Sequence, residues 1–194
     1  SITVGSVSTS VDNSLGVEVE NDSTISNFAV SNITPVSIGS GKTLSGSIGV
    51  TAGSIKLTDT GTLASNVAMS GGTTLDADNT LTVSGVLTQS GDITIDVLDN
   101  KMLSYSGASL MLGANTLRFS GGGTFSNVNA NPLILNNSAS KLLLSSITVD
   151  SVSTGVDNSL GVEVENDSTI SNFAVGNITP VSIASGKTLS GGIG

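Results

Sequence analysis

The sequence predicts an all-β fold, a right-handed parallel β-helix (β-solenoid) with about 18–20 residues in each coil. Three observations predict it. Residues 1–49 recur at 146–194, offset by 145 residues without a gap and with five differences: Gly5/Asp150, Ser10/Gly155, Ser31/Gly176, Gly39/Ala184 and Ser47/Gly192. Short stretches alternate apolar and polar residues with period two, as half-buried strands do. Clusters of Gly, Asn, Asp and Ser separate these stretches, and such residues tolerate the positive φ of tight corners.

The offset divides the chain into one full tandem unit, 1–145, and the first third of a next unit, 146–194, continuous with the same solenoid. A shorter period is suggested by Thr-Leu pairs at Thr43-Leu44, Thr62-Leu63, Thr80-Leu81 and Thr116-Leu117, whose steps are 19, 18 and 36. Further steps of 18 reach Leu135 and then Leu189, the copy of Leu44. About eight coils of about 18 residues then fill one unit. At ~4.8 Å per coil that is a rise of roughly 38 Å.

In order, the expected strands include Val17-Glu18-Val19-Glu20, Leu81-Thr82-Val83, Ile93-Thr94-Ile95-Asp96-Val97 and Ile147-Thr148-Val149. Their corners are Ser40-Gly41, Ser70-Gly71-Gly72, Asp78-Asn79, Asp99-Asn100, Gly121-Gly122-Gly123 and Asn136-Asn137. Pro35, Pro132 and Pro180 stand in Asn-rich corner contexts, where a missing ladder donor matters least. Phe28 and Phe173 are one site in two copies, expected to fill the core or a corner. Phe119 and Phe125 flank Gly121–Gly123, expected as a bulge or a short loop leaving the coil. The narrow interior suits Val, Ile, Leu and Ala, with Asn and Ser bonding to equivalent residues one coil away. A sandwich or barrel also has many short strands. The periodicity and the absence of Trp argue against it.

Composition excludes several functions. Hydrophobic residues are 37%, so the chain is not built like a disordered one. Only 11% of residues are charged, against about a quarter in average domains. Fifteen acids against six scattered bases give a net charge of −9, which offers no basic stripe for nucleic acid and is repelled by anionic membranes. Without Cys or His there is no disulfide framework, no thiolate or imidazole metal site and no Cys/His nucleophile. No stretch reads as a signal peptide, and no apolar run approaches the ~20 residues that span a bilayer as a helix.

The candidate chemistry is sparse. Glu18 and Glu20, repeated as Glu163 and Glu165, should point outward on one face about 7 Å apart. Inverting glycosidases hold two carboxylates at roughly that distance. With no Arg, His or aromatic platform beside them in sequence, a solvated strand face that blocks sideways aggregation is the expected role. Asp76, Asp78 and Asn79 form an oxygen-rich cluster, as do Glu20-Asn21-Asp22 and Glu165-Asn166-Asp167. Calcium favours such ligands, but the glycine-rich nonapeptide of calcium-binding β-rolls is absent, so these are expected to be corner residues. Thr58, Thr60 and Thr62 alternate, then Thr80 and Thr82, as on ice-binding solenoids, but the array is not expected to persist from coil to coil. Gly41-Lys42-Thr43 lacks the first glycine of a phosphate loop. Asn21-Asp22-Ser23, Asn32-Ile33-Thr34 and Asn136-Asn137-Ser138 match the N-glycosylation sequon. No catalytic, cofactor-binding or metal residue is assigned.

The strings GKTLSGSIGV (41–50), NTLTVSGVLTQSGDITI (79–95) and ANTLRFSGGGTF (114–125) resemble the β-helical stalks of bacterial secreted surface proteins. These include autotransporter passengers, filamentous-haemagglutinin-like adhesins and giant repetitive extracellular proteins. The resemblance lies in texture: Gly-Xaa-Leu-Xaa-Val strings, Asn corners and no Cys. It implies export to the cell surface, adhesion or fibre building, and no enzymatic residue. The expected partner is the chain itself, end to end, with a surface glycan or receptor as a further partner. The alternatives are a carbohydrate-active lyase or hydrolase, for which only Lys101, Tyr105 and Arg118 are on offer beside acids such as Glu18 and Asp96, and a glycan-binding module using loops near Tyr105 and Gly121.

Overall fold

The computed structural model describes residues 1–11, 15–127, 131–157 and 160–194. Among these, regular structure is all strand, and every strand-to-strand pairing is parallel. The chain is a β-solenoid of about nine turns.

One wall is a nine-stranded ladder with one strand per coil: β2 (Val17–Val19), β4 (Thr34–Ile38), β6 (Ser54–Leu57), β9 (Thr74–Ala77), β12 (Ile93–Val97), β15 (Thr116–Ser120), β18 (Lys141–Leu144), β20 (Gly161–Val164) and β22 (Val181–Ile183). The other two walls begin as single bent strands, β1 (Ile2–Thr9), β3 (Ser23–Val30) and β5 (Thr43–Val50). From the fourth coil each divides at its bend. The first wall continues as β7 (Thr62–Leu63), β10 (Leu81–Val83), β13 (Met102–Tyr105) and β16 (Thr124–Asn127). The second continues as β8 (Asn66–Met69), β11 (Leu87–Gln89), β14 (Leu110–Met111) and β17 (Leu133–Leu135). They rejoin in β19 (Thr148–Thr154), followed by β21 (Ser168–Ala174) and β23 (Leu189–Ile193).

The coil is longer and less regular than the Thr-Leu spacing suggests. Paired residues are separated by as few as 19 positions (Val17↔Val36) and as many as 25 (Thr116↔Lys141). Seven coils, not eight, separate β1 from its copy β19, a mean of about 21 residues each. The rise per unit is then roughly 34 Å. The spacing misleads because its pairs lie on different walls. Thr43-Leu44 does stack under Thr62-Leu63. But Leu63 carries Val83 rather than Leu81, and Thr116-Leu117 belongs to β15 on the third wall. Parallel pairing constrains the strands and leaves corner length open, so insertions at corners change the period without breaking a ladder.

On the second wall the register returns to itself. Val7 carries Phe28, then Ile48, Val67 and Leu87. Further up, Leu110 carries Leu133, which carries Val152, the copy of Val7. The ladders cross residues 145–146 unbroken through β16–β19, β17–β19 and β18–β20.

Alternating burial along each strand turns Val, Ile and Leu inward into one continuous core. Burying each such side chain contributes about 1.5–3 kcal/mol. Phe28, Phe173, Phe119, Phe125 and Tyr105 are its largest members, all fully buried. Phe119 and Phe125 therefore do not flank a loop leaving the coil. Their rings meet at 4.8 Å, with Tyr105 5.7 Å beyond Phe125. The intervening glycines form a tight corner, with Gly123 N–H donating to Val97 O at 2.9 Å. Pro35 lies inside β4 rather than in the corner before it. Buried Asn127 bonds to the backbone of Ser151 one coil up, through Nδ2 to O at 2.8 Å and from N to Oδ1 at 3.0 Å, not to an equivalent side chain. Gly46 (φ 117°) stands opposite Ile25 at a register shift between β3 and β5, where a Cβ would collide with the Ile25 carbonyl oxygen. Its copy Gly191 (φ 120°) does the same against Ile170.

Candidate functional site

The outward residues divide by chemistry among the walls. The third wall carries the charge. Lys56, Asp76 and Asp96 stack in one column, and Thr94, Arg118, Leu143 and Glu163 in the next. Lys56 Nζ lies 2.9 Å from Asp78 and 3.4 Å from Asp76. An ammonium thus sits where the Asp76–Asp78 cluster would have held a cation. The bond to Asp78 is the main cause raising the Lys56 pKa. Asp76 nevertheless has its own pKa raised, by burial first and by the Asp78 charge second. These two directions conflict if Lys56–Asp76 is read as one favourable pair. They agree if Asp78 is the true partner and Asp76 the crowded third group, as the shorter distance says.

The glutamate pair behaves differently in its two copies. Glu163 accepts Lys141 at 2.7 Å, and Glu165 accepts Arg118 at 2.6 Å. Glu18 and Glu20 are exposed and make no ion pair among the described residues. These bases are not legible beside the glutamates in the sequence, because Arg118 lies 47 positions from Glu165. Only the coil spacing, once known, places them together.

The oxygen-rich corners serve the backbone. Asp22 Oδ1 accepts Thr43 N–H at 3.0 Å, Asp92 Oδ1 accepts Thr116 N–H at 2.6 Å, and Asp167 Oδ1 accepts Thr188 N–H at 2.8 Å. Each ties a corner to the coil above. No group of three potential metal ligands occurs among the described residues. No helix among them is long and apolar enough to cross a membrane.

The first wall presents hydroxyls. Thr43, Thr62, Thr82, Ser104 and Ser126 form one column. Met102, Thr124, Thr148, Thr169 and Ser190 form another. The alternating threonines themselves do not persist from coil to coil: Thr62 and Thr82 stack, their column goes on as Ser104 and Ser126, and the second column begins at Met102. Thr80 contributes its hydroxyl to Met102 N–H at 3.2 Å, while Thr58 and Thr60 lie in the corner between β6 and β7. Alongside runs a polar groove of about 370 Å³ lined by Asp99, Thr148, Asp167, Thr169 and Ser190.

Tyr105 is not offered to a ligand. Its hydroxyl donates to Ala108 O at 2.7 Å and accepts Leu87 N–H at 3.2 Å, and burial raises its pKa. Of the sequon asparagines, Asn136 is already engaged, its Oδ1 accepting Gly113 N–H at 2.8 Å. Compared with protein-family models, curated proteins and solved structures, the chain matches none of them.

Proposed function

We propose that the chain is a structural and adhesive segment of an extracellular rod or fibre, extended end to end through further copies of its repeat and without enzymatic activity. The observation that carries this reading is the unbroken ladder. Nine coils share one apolar core, and the second unit continues the first across residues 145–146 with the pairings intact. Stability of such a rod grows with each coil added, because each contacts only its neighbours. The charged wall limits sideways sheet association. A bacterial, secreted origin fits the composition. Immunogold labelling of the producing cells with antibody to the chain is the test. Label along extracellular filaments is expected, and label confined to the cell interior overturns the reading.

A second reading is favoured by the paired hydroxyl columns. Hydroxyls repeat at ~4.8 Å along the rod, the two columns overlap at Thr124 and Ser126, and Asp150 adds a carboxylate acceptor beside them, a polar strip that suits ordered water or a glycan surface. Thermal hysteresis and glycan-array binding, each lost on Thr82→Lys and Thr124→Lys, would establish it. No signal in either assay rejects it.

A further inference from the structure

The repeat supplies an internal control for the open lower face of the first coil, formed by β1 and β2. Ile2 is 65% exposed and Val4 39%, whereas their copies Ile147 and Val149 are 2% and 0% exposed. Glu18 and Glu20, also at this face, lie beside Ile2 and Val19 along a cavity of about 300 Å³. What covers the copies is the seventh coil. Phe125 pairs with Val149, Leu133 with Val152, Leu142 with Val162 and Leu144 with Val164. Lys141 takes Glu163, and Arg118 of the coil below reaches Glu165.

We infer that the face formed by β1 and β2 is a docking surface for the segment spanning residues 116–144 of another copy of this repeat. Phe125, Leu133 and Leu142 of that segment cover exposed Val4 and half-buried Val7 and Val17, and Leu144 stacks on Val19, which is already buried. Its Lys141 and Arg118 neutralise Glu18 and Glu20. Apolar fit and charge complementarity are independent, and both are seen satisfied one unit further along. The five differences leave the match nearly intact. Ser10 adds a Cβ where Gly155 has room for one 3.4 Å from Ile134 Cγ2. Gly5 loses one link, since Asp150 accepts the Ser126 hydroxyl at 2.6 Å. The upper face offers no equivalent match. It consists of β22 and β23, copies of β4 and β5, whose interior partners are β6, β7 and β8.

This inference rests on the rod reading, but the two fail separately, since labelling reports location and the following experiment reports the junction. Residues 116–145 are fused ahead of Ser1 of the full chain, reproducing the internal connection between Ser145 and Ser146. Amide exchange in β1 and β2 is expected to slow by at least about tenfold. Glu18→Gln with Glu20→Gln should lower the Tm of the fused chain and leave that of the parent unchanged. Gly5→Asp should raise the Tm of the fused chain only. Unchanged exchange in β1 and β2 overturns the inference, as does an equal effect of the glutamine pair in both chains. Because the parent fold is present in both, a fused segment that stays unstructured counts as the negative result.

Discussion

Residues 1–49 and 146–194 are nearly one sequence in two settings. In the first copy the lower side is open and the upper side covered; in the second the reverse holds. Ile48 is 1% exposed and its copy Ile193 is 74% exposed, while Ile2 and Ile147 differ in the opposite sense. The strands form in both, with the same bulge at Gly46 and Gly191. Local sequence therefore sets the coil's conformation, and neighbouring coils set how much each residue stabilises it.

The largest test of this comparison is truncation of matched residues. Ile48→Ala should cost about 2–5 kcal/mol, as buried large-to-small changes do. Ile193→Ala should stay within about 0.5 kcal/mol. Urea denaturation with matched m-values measures both, and equal losses would break the comparison. Next comes the bulge. Gly46→Ala forces a Cβ into the Ile25 carbonyl at positive φ between two covered coils, and should cost about 1–3 kcal/mol or more. Gly191→Ala meets the same clash against Ile170, but on a strand with nothing above it, and should cost less.

The glutamates give a smaller difference. Glu163→Gln with Glu165→Gln removes two part-exposed ion pairs, worth about 0.2–1 kcal/mol each and weakened by salt. Glu18→Gln with Glu20→Gln should change the parent chain by less than the experimental error in Tm. The smallest effect is at Asp76. Its raised folded-state pKa means the folded chain binds that proton more tightly than the unfolded chain. Stability then falls as pH rises from the ordinary carboxylate value through the raised one, and the deficit persists at neutral pH. Asp76→Asn should remove that slope and leave stability at pH 7 unchanged or slightly higher, by up to about 0.5 kcal/mol. Melts between pH 3 and pH 7 check the sign: the variant should lose more stability toward acid than the parent, and a shallower acid loss in the variant would refute it.

The fold was legible because strand alternation and corner chemistry are local. Val17–Val19, Leu81–Val83 and Ile93–Val97 are strands as their pattern requires, and Gly41, Gly72, Asn100 and Gly121 take positive φ at corners. The coil count was not legible, since the number of residues in a corner leaves no period-two signature. The surfaces were less legible still. Lys56 beside Asp78, Arg118 beside Glu165 and the hydroxyl columns join residues one or two coils apart, at separations that vary from 19 to 25 per coil. The polar clusters at Asp22 and Asp167 looked the same in sequence whether they held a cation or capped a backbone.

By itself the sequence determined the solenoid, its apolar interior and the near-exact repeat. Those follow from which residues prefer extended backbone and which side of a strand avoids water. Only the tertiary structure decided that seven coils make a unit, that the side-chain ion pairs gather on one wall, and that one glutamate pair is bound while its twin is open. These depend on stacking register, which is summed over every corner along the chain, so no single stretch of residues encodes it.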